Sequence, residues 1–207
     1  MTTRYDPERI RGSLRSVRLG RVYRLIHFSH RARPLNAVPT PSRFSDPAGQ
    51  YAVLYVTESV RCGFWEALAR NRFTRHRRRQ MPRSDVESRL VVEIRSIEPL
   101  DLVDLREDGP IRIAAPTAVA HDANHAAGRS LSAATYANVP EADGFLFQSR
   151  FTGHVCAGVF DRAFEKLEAL DITPLVVHAD FLRALTDYDI TLTTPSGLEN
   201  RQRGANK

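Results

Sequence analysis

The chain has 207 residues, of which 42% are hydrophobic and 26% charged, as in an ordinary globular protein of one domain. No apolar run approaches the roughly 18 residues of a membrane span, and the polar N-terminus lacks the apolar stretch of a secretion signal. We therefore expect a cytoplasmic protein without a membrane partner. The formal charge of +6 suits an anionic partner, whether nucleic acid, acidic protein or phosphate-bearing small molecule, without choosing among them.

Strand patterns outnumber helix patterns and do not alternate with them regularly, which favours an α+β fold over a doubly wound sheet. We expect a basic N-terminal extension at 1–20, one domain at 21–195 and a disordered tail at 196–207. A long polar loop at 29–50 is of the kind that often carries function. In chain order, the pattern predicts a strand at 21–28, a strand at 52–56, a helix at 59–70, strands at 90–95 and 99–105, a helix within 117–137, strands at 144–151, 155–160 and 175–179, a helix at 180–185 and a strand at 189–193.

Glu66 is unusual in its place on the predicted helix that follows the strand AVLYV. The apolar face of that helix carries Val60, Phe64, Ala67 and Leu68, and Glu66 lies off it. It is also two turns from the start of the helix, too far for a capping role. Two interpretations are open: a solvated glutamate paired with Arg70 four residues later, or a carboxylate that faces a cleft.

For three more residues, the pattern allows both a structural and a functional interpretation. Arg24 alternates with apolar residues in the first strand, so it is either a solvent-exposed edge residue or a cation held by a carboxylate or phosphate. Tyr55 is either a core aromatic with its hydroxyl bonded at the rim or a stacking platform for a planar ligand. Ser149 interrupts a row of phenylalanines, and is either bonded to backbone at a strand end or the polar group of an aromatic pocket.

Two further patterns and the two cysteines give weaker indications of function. The seven arginines between Arg70 and Arg83 fit a solvated helix end and loop, or a nucleic-acid contact that has Phe73 as its one aromatic. His121 and His125 stand four apart, without the third ligand and glutamate of a zinc motif, so we expect no metal. Cys62 and Cys156 stand far apart without a CxxC motif, which argues against a disulfide framework and fits a reducing compartment.

Three segments taken in order, RVYR, PSRFSDPAGQYAVLYVTESVRCGFWEAL and DGFLFQSR, resemble the RES domain over about residues 20 to 160. The order and spacing of the motifs carry the resemblance, since no single motif is specific. Phe147, where the family commonly has a tyrosine, and the arginine-rich 70–89 segment depart from its pattern. The residues that match the family's arginines, tyrosine, glutamate and serine are Arg24, Arg43, Tyr55, Glu66 and Ser149.

The resemblance implies a single α+β domain with a mixed, mostly antiparallel split sheet, similar to ADP-ribosyltransferases, and a cleft for NAD. Characterised relatives cleave the nicotinamide–ribose bond of NAD with water or phosphate as acceptor, and others transfer ADP-ribose to a protein. Such toxins deplete NAD, arrest growth and are neutralised by a cognate antitoxin. The implied partners are therefore NAD as substrate, inorganic phosphate as co-substrate where it replaces water, and an Xre-type antitoxin. Nucleic acid is reached only through the antitoxin, and a homodimer is compatible with the resemblance.

Within that resemblance, each residue has an expected role. Glu66 stabilises the positive charge that develops on the ribose or bonds a ribose hydroxyl, Arg24 and Arg43 clamp the pyrophosphate, Tyr55 stacks on nicotinamide, and Ser149 orients ribose or nicotinamide. Two alternatives stay open at this point. One is an ADP-ribosyltransferase that modifies a protein, and the other is a basic nucleic-acid-binding module that acts through residues 70–83 without NAD turnover.

Overall fold

The computed structural model describes residues 5–70, 72–73 and 79–194. Ten strands lie in this part of the chain, eight in one sheet and two in a second, smaller sheet. The strands are β1 (Leu14–Val17), β2 (Val22–His27), β3 (Val53–Thr57), β4 (Gln80–Pro82), β5 (Arg89–Ser96), β6 (Leu100–Asp104), β7 (Gly144–Gln148), β8 (Val155–Phe160), β9 (Leu167–Pro174) and β10 (Thr191–Thr193).

Short helices cover the sheet and connect its strands. The α-helices are α1 (Pro7–Gly12), α2 (Val60–Phe64), α3 (Arg83–Glu87), α4 (Gly109–Arg112), α5 (Ala118–His121), α6 (Ala126–Asn138) and α7 (Ala179–Asp187). Three 3-10 segments lie at Phe28–His30, Asp161–Lys166 and Leu175–Val177, and a π-helical turn at Trp65–Ala69. Among the described residues, no helix is both long and apolar enough to cross a bilayer.

The large sheet has the strand order β1-β6-β7-β8-β3-β2-β5-β9. Within the described residues its neighbours are antiparallel except β6 and β7, which run parallel. A parallel pair needs a long crossover, and the segment that carries α4, α5 and α6 supplies it. The sheet confirms the predicted mixed, mostly antiparallel α+β fold.

The strand pairing of the sheet is weakest between β2 and β3, with five strands on the β3 side and three on the β2 side. β3 pairs with β8 over five residues, and β2 pairs with β5 over six. β2 and β3 share a single residue pair, Tyr23 with Thr57. The strands on the β3 side and those on the β2 side therefore diverge beside this pair.

Both faces of the sheet are filled by apolar side chains. On β3 the alternation is as predicted: Leu54 and Val56 pack in the core on one face, whereas Val53 and Tyr55 pack against the aromatic core on the other. Phe44 and Phe145 are stacked at 4.4 Å in that aromatic core. A third cluster, under α2 and α7, is built around Phe64 and Phe181.

The predicted helix at 59–70 is present but changes its pitch. Ser59 caps it by accepting a hydrogen bond from the Cys62 amide, and after Phe64 it continues as the π-helical turn. A π turn adds a residue per turn and rotates the positions that follow. For this reason the predicted core face is only partly correct beyond Phe64: Leu68 packs against the third cluster, but Ala67 is exposed and Ala69 is fully buried.

Other boundaries also differ from the sequence pattern. Residues 175–179 are not a strand, since Leu175–Val177 is a 3-10 turn that buries Leu175 and leaves Val177 61% exposed. The strand missed there is β9, an edge strand with a single neighbour and half-exposed side chains, so it lacks a strong apolar run. The predicted 144–151 strand ends at Gln148, and the helical stretch 117–137 is two helices.

The two ends of the chain were set apart from the domain in the sequence analysis. Of the expected extension at 1–20, the described part contains α1, which packs on α6 and buries Ile10, and β1, which pairs with β6. The expected tail at 196–207 lies outside the described residues.

Candidate active site

A cavity of about 450 Å³ opens where β2 and β3 diverge. Its size is typical of small-molecule sites. Its walls come from β2, β3, the turn after α2 and the cavity loop, which we define as residues 31–52. The polar residues on these walls include Arg24, Asn36, Ser42, Arg43, Tyr55, Thr57, Glu66, Arg70 and His125.

The charges on the walls are strongly biased towards cations. Among the described residues that line the cavity, Glu66 is the one acidic side chain, whereas Arg24, Arg43 and Arg70 are cationic. Such a wall favours an anionic ligand and places one carboxylate against it.

Glu66 lies in the π-helical turn and is half-buried. Its Oε1 atom accepts a hydrogen bond of 2.7 Å from the Ser149 hydroxyl. Within the described residues, no ion pair with Arg70 forms, so the interpretation of Glu66 as a solvated glutamate paired four residues on is wrong. The carboxylate faces the cavity instead.

Ser149 lies behind Glu66 rather than on the cavity wall. It follows β7 directly and is only 3% exposed. Its Oγ atom accepts a 3.2 Å hydrogen bond from the Phe151 amide and donates to Glu66. The strand-end bond to backbone is therefore present, and the same hydroxyl fixes the position of the acid.

Arg24 extends from β2 into the cavity, where its Nη1 atom donates to the carbonyl oxygens of Pro34 at 2.9 Å and Asn36 at 3.1 Å. Burial lowers the pKa of the guanidinium to about 10, so it stays charged at neutral pH. Its hydrogen-bond partners among the described residues are thus neutral carbonyls, and the carboxylate that the sequence allowed as a partner is not there.

Arg43 lies on the opposite wall, across the first turn of α6. A Cβ atom at Gly128 would be only 2.6 Å from the Arg43 carbonyl oxygen, so this close approach requires glycine. The Nη1 atom of Arg43 donates to the Asp122 carbonyl at 2.9 Å. Burial lowers the pKa of Arg43, and attraction to Glu66 partly opposes that shift, which places the two charges within electrostatic reach.

Tyr55 closes the cavity loop onto the sheet. Its hydroxyl oxygen accepts a 2.8 Å hydrogen bond from the Phe44 amide and is 2.9 Å from the Ser42 Oγ atom. Burial raises the pKa of Tyr55 to about 12. The rim interpretation of its hydroxyl is correct, and its ring still lines the cavity. Four of the five expected residues therefore line one cavity, and Ser149 supports the acid from behind.

Two residues of the wall were missed as site residues. Arg70 was assigned to the arginine run, and His125 was considered only as a metal ligand with His121. The structure ends α5 at His121 and begins α6 at Ala126, so no single helix carries both histidines. Burial, then the nearby Arg43 and other arginines, lowers the pKa of His125. No sequence signal indicates that His125 reaches the cavity, because only the packing of α6 brings it there.

The arginine run is partly outside the described residues, namely at 71 and 74–78. Of the described arginines, Arg72 pairs with Asp85 and Arg83 with Glu87. Arg79 donates to the Tyr188 carbonyl. These three arginines are therefore engaged within the protein.

The fold is thus an α+β domain with a mixed sheet, and the described lining residues of its cavity comprise one acid and several arginines. The RES domain model matches residues 21–180, and the chain belongs to that family.

Two relatives extend this assignment. A 90-residue stretch, 44% of this chain, is 36% identical to the probable toxin y4kH of Sinorhizobium fredii (strain NBRC 101917 / NGR234) and covers 71% of it. Among solved structures, the M. tuberculosis MbcT–MbcA toxin–antitoxin complex matches with a TM-score of 0.60, covering 86% of this chain and 96% of that one. At 14% identity this second match shows a shared fold.

Proposed function

We propose that this chain is the toxin of a toxin–antitoxin pair and that it cleaves the nicotinamide–ribose bond of NAD⁺. Membership of the RES domain family supports the proposal, as do a relative that is a probable toxin and a fold shared with a toxin–antitoxin complex. The observation that carries it is Glu66, the one acid among the described residues that line the cavity, which accepts a hydrogen bond from Ser149 and shares the wall with arginines.

The chemistry needs one carboxylate. When the bond breaks, its electron pair leaves with nicotinamide, and positive charge develops on the ribose. A fixed negative charge beside that ribose stabilises the transition state more than the ground state, typically by about 3–4 kcal/mol in a water-poor site. Glu66 is in a position to supply this charge, and the Ser149 bond removes the need to orient it during the reaction.

The arginines account for binding. Arg24 and Arg43 line the same cavity, and guanidinium groups bind pyrophosphate oxygens through paired hydrogen bonds. Arg24 now donates to Pro34 and Asn36 of the cavity loop. A pyrophosphate would replace these neutral acceptors with charged ones, and the exchange involves the loop in binding.

Two groups have supporting roles in this proposal. The Tyr55 ring offers a face for nicotinamide, while its hydroxyl keeps the cavity loop in place. Ser149 is a positioning residue for Glu66, instead of a group that contacts the sugar directly. The acceptor is water or phosphate, and the partner is an antitoxin of the Xre type in the same cytoplasm.

Product analysis with NAD labelled on its adenine tests the proposal. Purified chain should yield nicotinamide with either ADP-ribose, which indicates water as acceptor, or ADP-ribose 1″-phosphate, which indicates phosphate. Glu66→Gln protein purified in parallel is the control for contaminating activity. Label found on a protein would show that the reaction is ADP-ribosyl transfer to that protein instead of hydrolysis. Unchanged NAD, together with salt-dependent binding of nucleic acid, would overturn the proposal in favour of a nucleic-acid-binding module.

A further inference from the structure

The two cysteines of the chain are 94 positions apart in sequence but adjacent in space. Cys62 lies on α2 and Cys156 on β8, and their Sγ atoms are 3.6 Å apart. Both side chains are buried, and both are free thiols. The pairing of Thr57 with Cys156 across β3 and β8 sets this approach, because α2 begins directly after β3.

The two thiols differ in their surroundings. The hydrogen bond with Cys156 lowers the pKa of Cys62, and the side chains of Thr152 and Ser149 act in the same direction. The same hydrogen bond and burial raise the pKa of Cys156. The two sulfurs therefore share one hydrogen bond, and their acidities are shifted in opposite directions. Cys156 also lines the cavity, so a small reagent that enters the cavity reaches the pair on this side.

The pair is mechanically connected to the acid of the site. Cys62 precedes Glu66 by one helical turn, and Ser149, which bonds Glu66, also contributes to the environment of Cys62. α2 packs tightly on the sheet at Gly63, where a Cβ atom would be 2.9 Å from Leu25 Cδ1. A disulfide requires the sulfurs to close from 3.6 Å to roughly 2 Å, which would pull α2 towards β8.

We propose that Cys62 and Cys156 form a redox modification site, a dithiol that a peroxide closes to a disulfide. One of the two sulfurs attacks an oxygen of hydrogen peroxide, the O–O bond breaks, and a sulfenic acid and one water form. The other sulfur then displaces the hydroxyl group from the sulfenic sulfur, and a second water leaves. The two thiols lose two electrons and two protons, the peroxide is reduced to two waters, and a dithiol reductant reverses the change.

Oxidation of the pair should also change the rate of NAD cleavage, an expectation that rests on the proposed function. Closure moves the turn that carries Glu66, so the oxidised protein should cleave NAD more slowly. A displacement of about 1 Å at a catalytic group can cost on the order of a hundredfold in rate. The expected loss here is at least about tenfold.

The test uses the wild-type chain, reduced or treated with hydrogen peroxide, then alkylated and measured by intact and peptide mass spectrometry. We expect the treated monomer to lose two hydrogen masses, to resist alkylation and to yield a cross-linked peptide pair containing Cys62 and Cys156. Cys62→Ala should show no such loss. Two alkylated thiols after treatment, added oxygen in place of a disulfide, or a disulfide between two chains would overturn the site.

The rate of NAD loss, measured on the same samples, tests the consequence separately. The oxidised wild type should lose about tenfold or more in rate and regain it with a dithiol, whereas Cys62→Ala should respond to neither treatment. An intramolecular disulfide with an unchanged rate would overturn the link to Glu66. A disulfide in a chain without NAD turnover even when reduced would overturn the proposed function and leave the modification site standing.

Discussion

The two sides of β3 differ sharply in how they are built. Towards β8, β3 forms a five-residue ladder, and the space above it is closed by stacked aromatic rings, among them Phe44 and Phe145. Towards β2, a single residue pair holds the strands together, and the space beside it is a cavity whose described lining residues include one acid and several arginines. The same strand thus borders a sealed core on one side and an open, charged site on the other.

The difference shows how a small domain separates stability from function. On the closed side, backbone groups satisfy each other and apolar side chains exclude water, which is the main source of folding free energy. On the open side, Arg24 is half-buried with neutral carbonyl partners, an arrangement that favours an incoming anion. Substitutions on the two sides should therefore separate into losses of stability and losses of activity.

The largest effect on the closed side is expected from Phe145→Ala. Phe145 is fully buried between Phe44 and Phe160, and such a deletion costs about 3–5 kcal/mol in the free energy of unfolding. Urea denaturation measures the change. Phe28→Ala removes the same ring from a position that is 59% exposed, so it should cost about 1 kcal/mol or less. Equal losses for the two variants would contradict the description of a sealed core.

On the open side, Arg43→Lys should weaken NAD binding without unfolding the protein. A lysine keeps the charge but loses the paired donors, and hydrogen bonds to charged groups are worth about 1.5–3 kcal/mol, so KM should rise about tenfold to a hundredfold. Arg95→Lys is the matched control, because Arg95 pairs with Glu168 near the sheet edge. Steady-state kinetics of NAD loss would separate the change in KM from any change in kcat. An unchanged KM for Arg43→Lys would contradict the proposal that Arg43 binds the pyrophosphate.

Ser149→Ala should lower kcat with little change in KM. The variant removes one hydrogen bond to Glu66, worth about 1–1.5 kcal/mol, so we expect a fall in kcat of about fivefold to tenfold. Ser149→Thr, which keeps the hydroxyl, should restore part of the loss. Ser16→Ala, at an exposed position on β1, is the control. A rise in KM with unchanged kcat would instead favour direct contact between Ser149 and the substrate.

The smallest effect is expected from Gly128→Ala. The added methyl group would meet the Arg43 carbonyl oxygen at 2.6 Å, so either α6 or the cavity loop must shift and Arg43 moves with it. We expect a KM increase of about threefold to tenfold, or about 1 kcal/mol. Gly20→Ala, with nothing within 4 Å of the new atom, should behave like the wild type. Equal KM values for both variants would show that Arg43 tolerates displacement.

Much of the fold could be predicted from local pattern. β2, β3, β5, β6 and β8 have apolar runs or clear alternation, and their observed bounds differ from the predicted ones by one residue at each end at most. The edge strand β9 could not be found, because half-exposed side chains leave no periodic signal. The π-helical turn could not be predicted either, because no feature of the apolar pattern marks a change of helical pitch after Phe64.

The site was predictable only in part. Arg24, Tyr55 and Glu66 were candidates from the pattern as well as from the resemblance, Arg43 came from the resemblance alone, and all four line one cavity. The split between β2 and β3 that creates the cavity depends on long-range pairing, which no local pattern encodes. For the same reason, the approach of Cys62 to Cys156 was not foreseen, although both residues had been noted.

The most direct test of the central claim is a comparison of NAD binding and NAD cleavage in Glu66→Gln. Glutamine keeps an oxygen that accepts from Ser149 but carries no charge, so the variant should bind NAD with a dissociation constant near the wild-type KM and cleave it about a hundredfold to a thousandfold more slowly. Glu58→Gln, which removes an exposed acid paired with His154 outside the cavity, should cleave NAD at the wild-type rate. Cleavage by Glu66→Gln at the wild-type rate would contradict the assignment of Glu66 as the acid that breaks the bond.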